Sequence, residues 1–118
     1  YNYFLINIII LIVYITKLKG VIMPAAYAIF QINITNKDNY KEYVNLVHPV
    51  VEKYQGEYLV RGGKSETLLG SWIYPRTVIV KFKDYETALK WYHSKEYAPI
   101  KKIREDNSEA NCIIVEGI

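Results

Sequence analysis

The 118-residue sequence predicts an α+β domain of ferredoxin-like βαββαβ type over residues 23–118, a four-stranded antiparallel sheet with two main helices on one face. Three observations predict it. Ala25–Ile34, Thr77–Lys83 and Asn111–Ile118 place apolar side chains at the two-residue period of strands. The segment between Tyr40 and Tyr54 repeats Tyr40, Tyr43, Val44, Val47, Val51 and Tyr54 at the three-four spacing of one helical face. Read in order, the patterns run strand, helix, two strands, helix, strand. A composition of 51% apolar and 23% charged residues suits a chain of this length built around a single core.

Residues 1–22 are expected to lie outside that domain. Tyr1 to Thr16 carries no charge and is dominated by Ile, Leu, Tyr, Phe and Val. As a membrane anchor the run is shorter than the ~18–20 apolar residues a bilayer requires, and its positive charges, Lys17 and Lys19, lie only on the C-terminal side. A secretory signal would need a basic leading region and a small-residue cleavage site, and neither is present. The preferred reading is upstream DNA translated in frame. Met23-Pro24 stands immediately before the first strand pattern, and Lys19-Gly20-Val21-Ile22 can be encoded by a purine-rich stretch resembling a bacterial ribosome-binding site. Membrane association is expected only if residues 1–22 are really part of the native protein.

Within the domain, Ala25–Ile34 has one wholly apolar face, Ala26, Ala28, Phe30, Ile32 and Ile34, and a second face that turns polar towards its end. Thr35 or Asn36 caps the first helix and Asp38 sits in its electropositive first turn. Pro49 is expected to kink that helix or loosen a turn beside His48, and Gly56 to stop it. Glu57–Arg61 reads as a short strand, Gly62-Gly63 as a bulge or sharp bend, and Glu66–Gly70 as resumed extended pairing. Pro75 closes a turn before Thr77–Lys83, where Val78, Val80 and Phe82 face one way. Asp84 caps a second helix carrying Ala88, Leu89, Trp91 and Tyr92. Ser94 restarts a helix with Pro99 in its first turn and Ile100 and Ile103 inward. After a polar break at Asp106–Glu109, the last strand sets Ile113 and Val115 against Cys112 and Ile114.

Charge excludes one class of partner. Removing Lys17 and Lys19 lowers the formal net charge from +3 to +1. A near-neutral domain with interspersed charges lacks the basic face that nucleic acid requires. The single cysteine, Cys112, cannot form an internal disulfide, which suits a reducing, cytoplasmic setting, and it reads as a small buried strand residue. Two helices cover one sheet face only. The apolar residues of the other face would then form an association surface, and the simplest closure is a homodimer packed sheet to sheet.

The segments Tyr58-Leu59-Val60-Arg61-Gly62-Gly63, Gly70-Ser71-Trp72, Pro75-Arg76, Trp91-Tyr92-His93-Ser94-Lys95-Glu96-Tyr97 and Ile114-Val115-Glu116-Gly117 together resemble the family called domain of unknown function 1330. The resemblance spans Met23–Ile118. It implies a dimeric α/β barrel, whose relatives include cofactor-free monooxygenases, isomerases and stress-related dimers. It implies no reaction.

Arg61 stands before two glycines whose amides can approach a ligand closely, so Arg61, Gly62 and Gly63 could hold a carboxylate or carbonyl oxygen; a bulge with a solvent-facing or paired arginine is the bland alternative. Trp72 and Arg76 flank a loop that could roof a pocket, or they form an aromatic anchor with a stacked arginine. His48, beside the helix interruption, could aim its imidazole at the sheet as a proton acceptor; a solvated surface histidine is the commoner case. Tyr43 completes the candidate ligand site. His93 reads as a helix C-terminal charge. Neither histidine heads a metal-ligand spacing, and no phosphate cradle, serine elbow or carboxylate pair is present, so neither metal nor cofactor is expected. Two functions follow: binding of a small organic acid, with cofactor-free monooxygenase- or isomerase-like chemistry, or a non-catalytic dimeric binding or stress-response module.

Overall fold

The computed structural model describes residues 2–118, and the side chains of 3–15 and 23–118. The elements are α1 (Asn2–Ile22), β1 (Ala26–Ile34), α2 (Lys37–Lys53), β2 (Glu57–Arg61), β3 (Arg76–Phe82), α3 (Tyr85–Tyr92), α4 (Ala98–Asp106) and β4 (Ser108–Glu116). The four strands form one antiparallel sheet in the order β2-β3-β1-β4. From β1 onward this is the expected βαββαβ order, with the second helical segment split into α3 and α4. Residues 3–15 of α1 are exposed at every position. Among the described residues no helix is long and apolar enough to cross a membrane.

The core lies between the helices and one sheet face. Ala26, Ala28, Phe30 and Ile32 of β1 and Val78, Val80 and Phe82 of β3 face Tyr40, Tyr43, Val47 and Val51 of α2, with Ala88, Trp91 and Tyr97. Asn36 caps α2 by accepting from the Asn39 amide at 3.1 Å, and Asp84 caps α3 by accepting from Thr87 at 2.8 Å. That bond holds the Asp84 carboxyl below its usual range. Ser94 Oγ, buried, donates to the Trp91 carbonyl at 2.8 Å and accepts from the Tyr97 amide at 3.1 Å, which turns the chain from α3 into α4.

Several sequence expectations change. The helix runs unbroken through Pro49 to Lys53, because Pro49 and Asn45, whose carbonyl would have received the missing bond, lie on the exposed side where water can serve. The residue that ends α2 in left-handed backbone is Gln55, with φ +60°, not Gly56. Gln55 donates to Glu52 and Gly56 to Val51, the paired bonds of a helix-terminating turn. Gly56 is needed instead for space, since a Cβ there would meet Val51 at 2.6 Å and Phe82 at 2.9 Å. Glu66–Gly70 forms no strand; residues 62–73 are exposed loop. The last strand starts at Ser108, its polar lead-in pairing with Ile34 and Asn33 of β1.

The sheet's outer face carries an apolar rung across all four strands. Val60 pairs with Ile79, Ile79 with Ile29, and Ile29 with Ile113. Ile113 is 60% exposed and Val115 beside it 43%. The rung is bordered by Lys81 on one side and by Thr77, Gln31 and Asn111 on the other.

Candidate functional site: an arginine-lined cleft between helix and sheet

A cleft opens between α2 and strands β2, β3 and β1. Its walls are Tyr40, Tyr43, Val44 and Val47 from the helix and Phe30, Ile32, Tyr58, Val78 and Val80 from the sheet, with Trp91 at the base and Arg61 and Arg76 as the two cations. Arg76 belongs there by ordinary alternation, because it shares parity with Val78 and Val80 on the helix-facing side of β3. Arg61 does not. Tyr58 pairs with Val80 and faces the helices, so uninterrupted alternation would send Arg61 outward. A register shift between Tyr58 and Val60 inserts Leu59 as an extra residue, after which Arg61 pairs with Val78 and faces inward. Of the bulge or sharp bend expected at Gly62-Gly63, the bend is found at Gly62, while a bulge lies three residues earlier, at Leu59, and delivers the arginine.

Gly62 has a different task. Its φ is +70°, its amide donates to the Thr77 carbonyl at 2.8 Å, and a Cβ on it would lie 2.1 Å from Arg76 Nη1. Only glycine leaves the Arg76 guanidinium its place. Gly63 has no atom within 4 Å of a notional Cβ, so it supplies no close approach.

Arg61 lies over the Tyr58 ring at 4.5 Å. Arg76 Nε is buried without a hydrogen-bond partner. The chain has three arginines, Arg61, Arg76 and Arg104, and the charges of all three reach Tyr40. Burial raises the Tyr40 hydroxyl's pKa and the three guanidiniums oppose that rise. Burial likewise lifts Tyr58, against Arg61. None of the three arginines belongs to an ion pair among the described residues. Two guanidiniums face aromatic hydroxyls and apolar walls with no carboxylate in the lining, so the formal charge of the cleft is positive.

Tyr43 is fixed from behind. Its hydroxyl shares a 2.9 Å hydrogen bond with that of Tyr97, which is fully buried. Burial, and the neighbouring Tyr97 hydroxyl, hold Tyr43 neutral well above its usual pKa. Free volume inside the cleft is about 20 Å³, which is room for about one water.

Residues 25–118 match the family described as domain of unknown function, DUF1330. The chain belongs to the DUF1330 family. The DUF1330 domain is similar in fold to a protein of unknown function from Rhodopseudomonas palustris, at TM-score 0.65 and 13% identity over 80% of this chain and 83% of that one. It is also similar to a hypothetical Arabidopsis thaliana protein, at TM-score 0.59 and 10% identity over 81% and 89%. A de novo designed protein matches at TM-score 0.53 and 15% identity over 80% and 99%. At such identities the likeness is one of fold alone, a four-stranded ferredoxin-like α+β fold. A search of curated proteins found no match.

Of the residues singled out in the sequence, the DUF1330 domain brings Tyr43, Arg61 and Arg76 into the cleft, with Gly62 against Arg76. His48 does not line it. The imidazole stacks on Tyr58 at 5.6 Å, its Nε2 lies 2.9 Å from Glu52, and its side chain is 47% exposed. Trp72 lies on the opposite face of the sheet, donating to the outward Thr77 hydroxyl at 3.1 Å and bordering Ile29, Gln31 and Ile113. It cannot roof the cleft from there. Sequence reasoning left out Tyr40, Tyr58 and Arg104. Tyr40 and Arg104 sit on the inward stripes of their helices, so a charge at a core position, Ile100 plus four, was the signal for Arg104.

Proposed function

We propose that this protein is a homodimeric small-molecule binder that takes a small organic acid, carboxylate first, between Arg61 and Arg76 in the cleft of each protomer. The observation that carries the reading is the pair of arginines on one inward sheet face with no carboxylate in the lining. The apolar walls suit an aromatic or branched hydrocarbon body, and Tyr43, held by Tyr97, offers a neutral hydroxyl to a second oxygen. The lining holds no His, Asp, Glu, Cys or Lys to act as a base, which favours binding over proton abstraction by the chain's own residues. Cofactor-free isomerase- or monooxygenase-like turnover would draw on a ligand that is itself readily ionised. The dimer reading rests on the Val60–Ile79–Ile29–Ile113 rung. We further assign the protein to the cytoplasm, in keeping with its one unpaired cysteine, and residues 1–22 to a segment outside the functional domain.

A thermal-shift panel of aliphatic and aromatic carboxylates tests the binding. At least one acid should raise the Tm of the wild type, and Arg76→Gln should abolish the rise while the variant stays folded. A rise that survives both Arg61→Gln and Arg76→Gln would refute the site.

A further inference from the structure

Arg104 does not line the cleft, although its charge reaches Tyr40 there. It is 4% exposed, its Nε has no hydrogen-bond partner, and it belongs to no ion pair among the described residues. Arginine is almost never buried so completely without a counter-charge, because an uncompensated charge in the interior is costly. The neighbours do not provide one. The Phe30 ring lies 5.2 Å from the guanidinium carbon, and Tyr92 and Tyr97 present hydroxyls. The Cys112 thiol is pushed up to about 11 by burial, against the pull of Arg104, and stays neutral.

Beside Arg104, between α4 and the edge strand β4, is a cavity of about 320 Å³ bounded by Tyr92, Arg104, Glu105, Ser108, Ala110 and Cys112. It shares no lining residue with the arginine cleft. We propose that this cavity is a second anion site, in which Arg104 binds a small oxyanion, carboxylate or phosphate. The Tyr92 and Ser108 hydroxyls are additional donors; the Ser108 Oγ, now donating to the Arg104 carbonyl at 2.5 Å, can turn to the ligand. Glu105 is the one carboxylate in the lining. As the next residue along the helix it projects about 100° away from Arg104 and is exposed, so it borders the entrance without neutralising the charge.

With only three arginines, the full-length ¹⁵N-labelled chain gives three side-chain Nε–Hε signals, and Arg61→Lys and Arg76→Lys identify Arg104's by elimination. The protein is titrated at pH 7 with phosphate, and separately with acetate, against sodium chloride of equal ionic strength. The Arg104 signal is expected to move and saturate with phosphate or acetate, not with chloride, and to do so equally in the Arg61→Lys/Arg76→Lys double variant. Which of the two anions saturates first tells phosphate from carboxylate recognition. A signal that stays still, that moves linearly or equally in chloride, or that responds only when both cleft arginines are present would overturn the site. So would a shift on Glu105→Gln before any anion is added, since Glu105 would then already be the partner.

Discussion

At the level of single residues, Gly62 leaves room for the Arg76 guanidinium and the Tyr43–Tyr97 hydroxyl pair fixes the helix wall of the cleft. Gly62→Ala forces a side chain into left-handed backbone and into the Arg76 guanidinium at once. The expected loss is about 1–3 kcal/mol of stability by chemical denaturation, together with the acid-induced Tm rise. Gly63→Ala, facing open space, should change neither by comparison. Tyr97→Phe leaves the Tyr43 hydroxyl buried without its partner, so it should cost about 1–3 kcal/mol while sparing the arginines. Glu96 gives a pH signature: its carboxylate pairs with Lys53 and accepts from Tyr54 at 3.1 Å, and these hydrogen bonds, Lys53 first, bring its pKa down to about 2. A depressed carboxylate pKa stabilises the fold above the unfolded value and loses that contribution as pH falls towards 2. Side-chain carboxyl titration by NMR should find Glu96 still ionised at pH 3, and a Glu96 midpoint near 4.5 would show the pair to be absent.

At the element scale the decisive feature is the extra residue in β2. Deleting Leu59 leaves Tyr58, Val60 and Arg61 in regular alternation against Val80, Ile79 and Val78, so Arg61 still faces the helices; the deletion variant should keep both its far-ultraviolet circular dichroism and its acid binding. Loss of binding with the fold intact would show that the backbone distortion of the bulge, and not the facing of Arg61 alone, places the guanidinium. This scale also shows where sequence reading succeeds and fails. β1, α2 and β3 were legible because their burial follows a strict period, so Phe30, Tyr43 and Val80 fall where periodicity sets them. The bend at Gly62 is legible because glycine advertises conformational freedom, whereas the bulge at Leu59 is not, since a leucine carries no such mark. Trp72 was misplaced because residues 62–73 have no period to fix a face; an indole beside Arg76 in sequence is across the sheet from it in space. Glu66–Gly70 has strand-like composition without a partner strand to pair with.

At the scale of the whole molecule, one sheet face is covered by helices and the other shows an unbroken apolar rung. Ile29→Glu at its centre should convert the proposed dimer to monomer by light scattering at micromolar concentration, with the helix-side core intact because Ile29 points away from it. A wild-type monomer under the same conditions would remove the dimer from the account. Among the described residues, every member of the buried core lies within 23–118. Removing residues 1–22 should therefore leave the Tm unchanged, and a fall of several degrees would show that α1 packs against the domain in solution.

The most direct measurement is a crystal structure of the protein with a brominated aromatic carboxylate, located by the anomalous signal of bromine. The expected result is bromine among Tyr40, Val44 and Val78, the carboxylate bridging Arg61 and Arg76, and Tyr58 displaced. Bromine found only on the outer sheet face, or a carboxylate that engages neither arginine, would contradict it.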